Sequence, residues 1–172
     1  MQVQLQPVLT GPTLLLRPLV EADFEPLYAA AADPLIWVQN PQSTRWQRDV
    51  FRKIFDSGLE SRGAFVVIDR ESGAIIGTSR YYEWEPDKRE IAIGYTFLTR
   101  KYWGGATNQE MKKLMLDHIF QWADTVWFHI GAENWRSRKA LEKIGGVFSH
   151  FRDQPVDGKL VPYCCYKIVK PR

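Results

Sequence analysis

The sequence predicts an α+β fold, a mixed and mostly antiparallel sheet of about six or seven strands flanked by about four helices. The chain has 172 residues, 45% of them apolar, which is enough for one ordinary core. Three apolar, β-branched runs in its first half are joined by short polar turns, as in an antiparallel meander. Its second half alternates helical and strand patterns, which predicts a mixed sheet with helices on both faces. Since no repeat or low-complexity tract divides the chain, we expect residues 1–172 to form a single domain.

The chain opens with a predicted strand over residues 13–19 and a predicted helix over residues 23–32, each ended by a proline. A second helix follows, with Thr44 and Gln47 as a capping box at its start. Gly58 supplies its expected C-terminal stop.

The meander and the later elements follow in order along the chain. The three strands of the meander occupy residues 64–68, 74–84 and 90–98. After them the pattern predicts a helix over 108–123, a strand over 126–130, a helix over 135–144, and strands near 147–151 and 161–169. Ligands of such sheets bind where neighbouring strands diverge.

Composition excludes several classes of protein. The balance of 23 basic and 20 acidic residues gives a net charge of +3, which lacks the dense basic stripe of a nucleic-acid binder but suits a small polyanionic ligand. No apolar run approaches the roughly 20 residues that span a bilayer, so we expect a cytoplasmic protein with no membrane contact. The adjacent Cys164 and Cys165 suit neither a disulfide nor a zinc site, and the three histidines are scattered, so no metal is expected.

The most informative segment lies between the third strand of the meander and the next helix. Thr107 and Glu110 match an S/T-x-x-E capping box, so the helix is expected to begin just after Thr107. Ahead of it, Gly104 and Gly105 let the backbone approach a ligand closely, and Arg100 adds positive charge. Free N–H groups at the helix start then favour phosphate binding. The alternative is an ordinary glycine-containing turn before a capped helix.

A second motif begins at Asn134, which follows an apolar strand and can cap the next helix, while Gly145 ends that helix. Taken alone, it is a capped surface helix with a basic face. Its sequence has the form N-x-x-S-x-x-x-L-E-K-x-G. It is preceded along the chain by LLLRPL with an acidic helix start, IGTSRYY, EIAIGYTF and YWG before a helix. This order of motifs, over essentially the whole chain, resembles the GNAT acyl-CoA N-acetyltransferases, and most of all their RimJ/RimL branch, which acetylates protein α-amines.

The resemblance implies acetyl-CoA as co-substrate and a pyrophosphate loop of the form Q/R-x-x-G-x-G/A before the long helix. In the gapless alignment Trp103 takes the Q/R position, Ala106 the first glycine and Asn108 the last small residue. A shifted alignment that starts at Lys101 restores the pattern but displaces the helix by two residues. The residues that the resemblance implies for CoA binding are Thr96, Phe97, Leu98, Trp103, Gly104, Gly105, Ala106, Thr107, Asn108, Asn134, Ser137 and Arg138.

The strand over residues 90–98 is expected to carry the reacting end of the cofactor. Its period of two places one set of residues on a shallow floor, namely Glu90, Ala92, Gly94 and Thr96. The alternate set is expected in the core, namely Ile91, Ile93, Tyr95 and Phe97. Gly94 marks a bulge or a close backbone approach. The resemblance implies that pantetheine lies along this strand, with a backbone N–H near residues 95–97 polarising the thioester carbonyl.

Glu90 is the first candidate for the base that takes the proton of the amine, and Glu83 and Glu85 are rivals. Glu90 is alternatively an ordinary surface carboxylate at a strand start. Many GNAT enzymes have a tyrosine acid at the position of Leu141, so Ser137 is the candidate donor to the leaving thiolate. A serine that bonds a free amide in the first helical turn is the alternative.

The predicted acceptor pocket combines aromatic residues with nearby carboxylates. Its residues are Trp37, Tyr81, Tyr82 and Glu83, with Trp84 and Tyr163 as further aromatic candidates. This set favours a cationic amine acceptor through cation–π and charge contacts. The aromatic residues are alternatively core or homodimer contacts.

The expected function is transfer of acetyl from acetyl-CoA to a primary amine, such as a protein N-terminal α-amine, by direct attack in a ternary complex. A small-molecule or antibiotic acetyltransferase of the same fold is one alternative. A non-catalytic acyl-CoA-binding domain is another, favoured by the altered loop and by Leu141. No nucleic-acid partner is expected, because the chain lacks basic stripes with interleaved aromatic residues.

Overall fold

The computed structural model describes residues 1–172, in which one eight-stranded sheet has helices on both faces. The strands are β1 (Leu9–Thr10), β2 (Leu14–Pro18), β3 (Ala64–Asp69), β4 (Ile75–Glu85), β5 (Glu90–Leu98), β6 (Thr125–Gly131), β7 (Val147–Val156) and β8 (Lys159–Val169). The helices are α1 (Phe24–Ala31), α2 (Arg48–Ser61), α3 (Thr107–Ile119) and α4 (Trp135–Lys143). Short 3-10 turns cover Glu21–Asp23, Pro34–Ile36 and Arg100–Tyr102. The predicted α+β class and its mostly antiparallel sheet are confirmed.

The sheet order is β1-β2-β3-β4-β5-β6-β8-β7, and only β5 and β6 run parallel. Two apolar cores lie on its opposite faces. One contains Met111 and Met115 of α3 with Leu141 of α4, and the other contains Phe24 of α1 with Phe51 of α2. Each helix pair therefore covers one face of the sheet. No helix is both long enough and apolar enough to cross a membrane.

The strands β5 and β6 pair only over their first three residues. The ladder runs from Glu90 opposite Thr125 to Ala92 opposite Trp127, and no pairs follow. The sheet therefore opens between the second halves of these two strands. Backbone groups on that edge of β5 are left without a partner strand, as at the edge of a sheet.

A bulge in β5 changes which side chains share a face. Thr78 and Arg80 of β4 lie opposite Phe97 and Gly94, so two steps on β4 match three on β5, and Tyr95 takes a φ of 53°. The bulge expected at Gly94 is confirmed. The prediction that one set of side chains along the whole strand faces the core is wrong beyond the bulge. The extra residue there reverses which side chains point to each face.

Beyond the bulge, Phe97 packs in the core under α1 and α2, whereas Leu98 shares the opposite core with Ile91 and Ile93. Tyr95 is 40% exposed. The strand thus presents Thr96, not Tyr95, on the α3 side.

Both predicted capping boxes are wrong. The helix α2 begins at Arg48 with Gln47 as N-cap and no side-chain cap, and Gly58 is buried inside it. The helix α3 begins at Thr107 and has no side-chain cap either. The carboxylate of Glu110 instead accepts hydrogen bonds from the backbone N–H groups of Thr13 and Leu14 and from the Thr13 hydroxyl, and so ties α3 to β2.

Candidate active site

A cavity of ≈330 Å³ lies where β5 and β6 diverge. Its walls come from the second halves of these strands, from the N-terminal turns of α3 and α4, and from the loop between α1 and α2. One end reaches the start of α3. The other reaches that loop and the β7–β8 hairpin. Two ligands can therefore meet inside the sheet from opposite ends.

Backbone groups form much of the α3 end of the cavity. Trp103, Gly104 and Asn108 line it, and no group of the chain accepts from the amide N–H groups of residues 107–109. Gly104 has a φ of +74°, a conformation that L side chains rarely adopt. The guanidinium of Arg136 lies 3.7 Å from the centre of the Trp103 ring and also lines the cavity. These groups form a positive site that suits phosphate oxygens.

The first turn of α4 faces the same end. The Asn134 side-chain oxygen accepts from the Ser137 backbone N–H at 3.4 Å, which confirms the predicted cap. Both residues line the cavity, and the Ser137 hydroxyl is not used in the cap.

Beneath β5, the side chain of Lys112 enters the cavity from α3. It is 7% exposed, and its Nζ donates to the Thr96 Oγ1 at 3.0 Å. That hydroxyl is also hydrogen-bonded to Ser79. No carboxylate lies within ion-pairing distance, and burial lowers the pKa of Lys112 to about 7.

Tyr82 and His129 form a hydrogen-bonded pair toward the other end of the cavity, with 2.8 Å between the Tyr82 hydroxyl and Nδ1 of His129. Burial raises the pKa of Tyr82, so its hydroxyl keeps its proton. Burial, with the positive charge of Arg152, lowers the pKa of His129 to about 4. A protonated hydroxyl thus shares a hydrogen bond with an uncharged imidazole, and the tautomer of the ring sets which of the two donates.

Three charged side chains line this end of the cavity. Glu83 and Arg152 approach each other to 3.5 Å and largely neutralise each other. Arg45, from the α1–α2 loop, has no ion-pair partner, and its guanidinium lies 5.8 Å from the centre of the Tyr95 ring. Tyr163 and Gln154 of the hairpin complete this wall.

The family model of the acetyltransferase (GNAT) domain matches residues 13–147, most of the chain. The chain belongs to the GNAT acetyltransferase family. This GNAT protein is therefore an N-acetyltransferase, and enzymes of its family use acetyl-CoA. The resemblance that the sequence motifs indicated is confirmed.

Solved structures of other GNAT proteins share the fold. A GCN5-related N-acetyltransferase from Brucella melitensis is 21% identical, with a TM-score of 0.80 over 95% of this chain and 79% of that one. A GNAT-family acetyltransferase from Bacillus anthracis is 16% identical, with a TM-score of 0.77 over 95% and 98%. RimL, a ribosomal L7/L12 alpha-N-protein acetyltransferase solved with coenzyme A, is 14% identical, with a TM-score of 0.75 over 95% and 98%.

Most of the residues expected to bind CoA lie together in this GNAT acetyltransferase. Those that line the cavity are Thr96, Phe97, Leu98, Trp103, Gly104, Asn108, Asn134 and Ser137. Gly105, Ala106 and Thr107 complete the loop without lining it. Arg138 lies apart, because its guanidinium donates to the Tyr166 hydroxyl and the Ala132 carbonyl. Arg136, two residues earlier, lines the cavity instead, although the i,i+4 spacing from Asn134 favours Arg138.

Glu90 does not lie in the cavity. It stands at the start of β5, before the strands diverge, and its carboxylate accepts from the Trp127 indole at 3.1 Å. Four residues of extended strand, about 13 Å, separate it from Gly94. Glu85 is also outside and pairs with Lys88.

The expected acceptor residues divide between cavity and core. Tyr82 and Glu83 line the cavity. Tyr81 is fully buried and donates to the Met115 carbonyl, and Trp37 is buried with its indole donating to the Ala31 carbonyl. Both are core residues. Alternation along β4 turns Tyr81 to the face opposite its neighbour Tyr82, and Trp37 packs in the core under α1 and α2. Arg45, Lys112 and His129 also line the cavity and were not predicted, because no motif of the sequence includes them.

Proposed function

We propose that this enzyme transfers the acetyl group of acetyl-CoA to a primary amine by direct attack within a ternary complex. The observation that carries the proposal is one continuous cavity between the free amides at the start of α3 and the Tyr82–His129 pair. One end suits a polyanion, and the other offers a site for a proton. The gap between β5 and β6 joins them.

The residues at the first end fit coenzyme A. Amide N–H groups at the start of α3 and the guanidinium of Arg136 suit a diphosphate. The unpaired edge of β5 suits an extended chain with amide groups, which can add to it as a further strand. When bound, acetyl-CoA supplies an acetyl group activated as a thioester.

Side chains of the protein then accept the proton that the amine loses. As the amine nitrogen bonds to the acetyl carbon, the Tyr82 hydroxyl accepts the proton that the amine loses. It passes its own proton to Nδ1 of His129, which lies 2.8 Å away and becomes an imidazolium. The carbon–sulfur bond breaks, and Ser137 donates a hydrogen bond to the departing thiolate. A thiolate with a pKa near 8.5 needs little more help to leave.

The acceptor we propose is a protein N-terminal α-amine or a related primary amine. The fold shared with RimL, a ribosomal L7/L12 alpha-N-protein acetyltransferase, supports this choice, as do the RimJ/RimL-like motifs. The cavity end formed by the α1–α2 loop and the β7–β8 hairpin is the expected entrance for the acceptor.

The proposal is tested by following thiol release from acetyl-CoA with a panel of peptides, amino acids, polyamines and aminoglycosides. We expect release with at least one amine, and a loss of about 100-fold in kcat for Tyr82→Phe and His129→Gln. Glu90→Gln is the matched control and should stay within twofold of wild type.

A large loss of kcat in Glu90→Gln, with little loss in Tyr82→Phe and His129→Gln, would instead identify Glu90 as the base. CoA binding without thiol release across the whole panel would contradict acetyl transfer and favour a binding domain.

A further inference from the structure

Two arginines without ion-pair partners flank Tyr95 at the acceptor end. The guanidinium of Arg80 lies 3.8 Å from the centre of the Tyr95 ring, and that of Arg45 lies 5.8 Å from it. Arg80 is 6% exposed and donates only to the Ile54 carbonyl and the Ser57 hydroxyl. Elsewhere in the chain Arg17, Arg48, Arg52, Arg89 and Arg100 each pair with a carboxylate, whereas Arg70, Arg136 and Arg138 donate to backbone carbonyls.

Arginine side chains stay protonated in proteins, so both are charged at neutral pH. Burial lowers the pKa of Arg80 to about 10, with Arg45 adding repulsion, and burial lowers the pKa of Arg45 as well. Two neighbouring cations that lack a carboxylate are held at a cost in free energy, offset in part by the face of Tyr95. An anion bound beside them would remove that cost.

Arg45 is the one of the two that can reach a ligand, because it lines the cavity. Its Nε donates to the Gln42 side-chain oxygen at 3.0 Å, which leaves its terminal N–H groups free for a bidentate contact. The nearby carboxylate of Asp157 accepts from the Gln42 amide at 3.2 Å and makes no ion pair with Arg45. Asn40, Gln154 and Tyr163 add polar groups to the same wall.

We propose that the acceptor carries a carboxylate as well as its amine, and that Arg45 binds this carboxylate while Tyr82 faces the amine. The inference rests on the proposed acetyl transfer and specifies its substrate class. It replaces the cationic acceptor expected from the sequence. Glu83 pairs with Arg152, and Glu85 and Glu90 lie outside the cavity. Arg45 is therefore the charged side chain at this end that makes no ion pair, with Asp157 acting on it only at longer range.

The carboxylate of the acceptor has two candidate sources, a free amino acid and an acidic peptide. They are compared by measuring kcat/KM on matched acceptors. One arm uses free amino acids and their carboxamides, and the other uses peptides with glutamate or glutamine as the second residue. We expect at least one arm to show a tenfold or greater preference for the carboxylate form. The arm that shows this preference identifies whether the carboxylate belongs to a free amino acid or to the second residue of a peptide.

The variant Arg45→Met should reduce that preference at least fivefold, and Arg45→Lys should restore part of it. Thermal unfolding and acetyl-CoA binding are measured beside them to show that the fold is intact. Equal efficiency on acid and amide forms in both arms, or an undiminished preference in Arg45→Met, would overturn the inference and leave acetyl transfer standing. Absence of thiol release with any amine would instead contradict the proposed function on which the inference rests.

Discussion

The ammonium nitrogen of Lys112 lies 3.0 Å from the hydroxyl oxygen of Thr96, in a cavity wall where no carboxylate balances its charge. The bulge of β5, which follows Gly94 and includes Tyr95, produces this contact, because it turns Thr96 toward α3. A buried amine with one hydrogen-bond partner is better tolerated uncharged, which lowers its pKa to about 7. The lysine therefore makes stability depend on pH.

We expect Lys112→Met to flatten the dependence of stability on pH between 7 and 9. The folded pKa, about 7, lies below the ordinary value near 10.4, so in this range the unfolded chain binds more protons. Stability of the wild type thus rises with pH here, by about 2 kcal/mol from this group. Urea unfolding at pH 7 and pH 9 measures it. The exposed Lys113→Met is the matched control, and an unchanged slope in Lys112→Met would contradict the prediction.

The activity should remain insensitive to His129 protonation until the pH is low. Burial holds the pKa of His129 near 4, below its usual value, so the imidazole is uncharged and able to accept a proton at every pH above that. We expect protonation of His129 to lower kcat/KM only as the pH falls through about 4. The pH profile of the wild type measures this. An acid limb near pH 6.5 that disappears in His129→Gln would show that the imidazole titrates normally.

Glu110 should matter for stability more than Thr107 does. Its carboxylate accepts three hydrogen bonds from Thr13 and Leu14, whereas Thr107 makes no cap hydrogen bond. We expect Glu110→Ala to lower the free energy of unfolding by about 2 kcal/mol, and Thr107→Ala to change it by less than about 0.5 kcal/mol. Denaturant unfolding compares the two. A larger loss in Thr107→Ala would instead support the capping box that the sequence predicts.

Gly104 and Gly105 form a matched pair in the loop before α3. A Cβ on either would meet no atom within 4 Å, but only Gly104 has a positive φ. Gly104→Ala should therefore shift the loop at a cost of about 1 kcal/mol and raise the KM for acetyl-CoA roughly fivefold. Gly105→Ala should have little effect on either quantity. Steady-state kinetics and thermal unfolding test the difference, and equal effects would show that φ at Gly104 is not the cause.

Local patterns determined most of the secondary structure. Apolar periodicity predicted all four helices and the three strands of the meander, because core-facing residues repeat with the period of their own element. The Asn134 cap and the bulge at Gly94 were also readable, since both depend on residues near in sequence. The cap prediction at Thr107 failed because a motif of four residues does not show that Glu110 bonds Thr13 and Leu14 instead, and the one at Thr44 failed because α2 begins only after Gln47.

Tertiary structure alone decided the composition of the reacting end. The α+β fold, the family resemblance and the loop that suits CoA were all predictable from residues close together in the sequence. The sequence did not determine that Phe97 and Tyr95 leave the expected face, because one extra residue in β5 reverses every position after it. Nor did it place Arg45 beside Tyr95, or His129 beside Tyr82, because those contacts join segments distant in the chain. The net charge of +3 gave no indication that an unpaired arginine lies at the acceptor end, since only packing decides which charges find a partner.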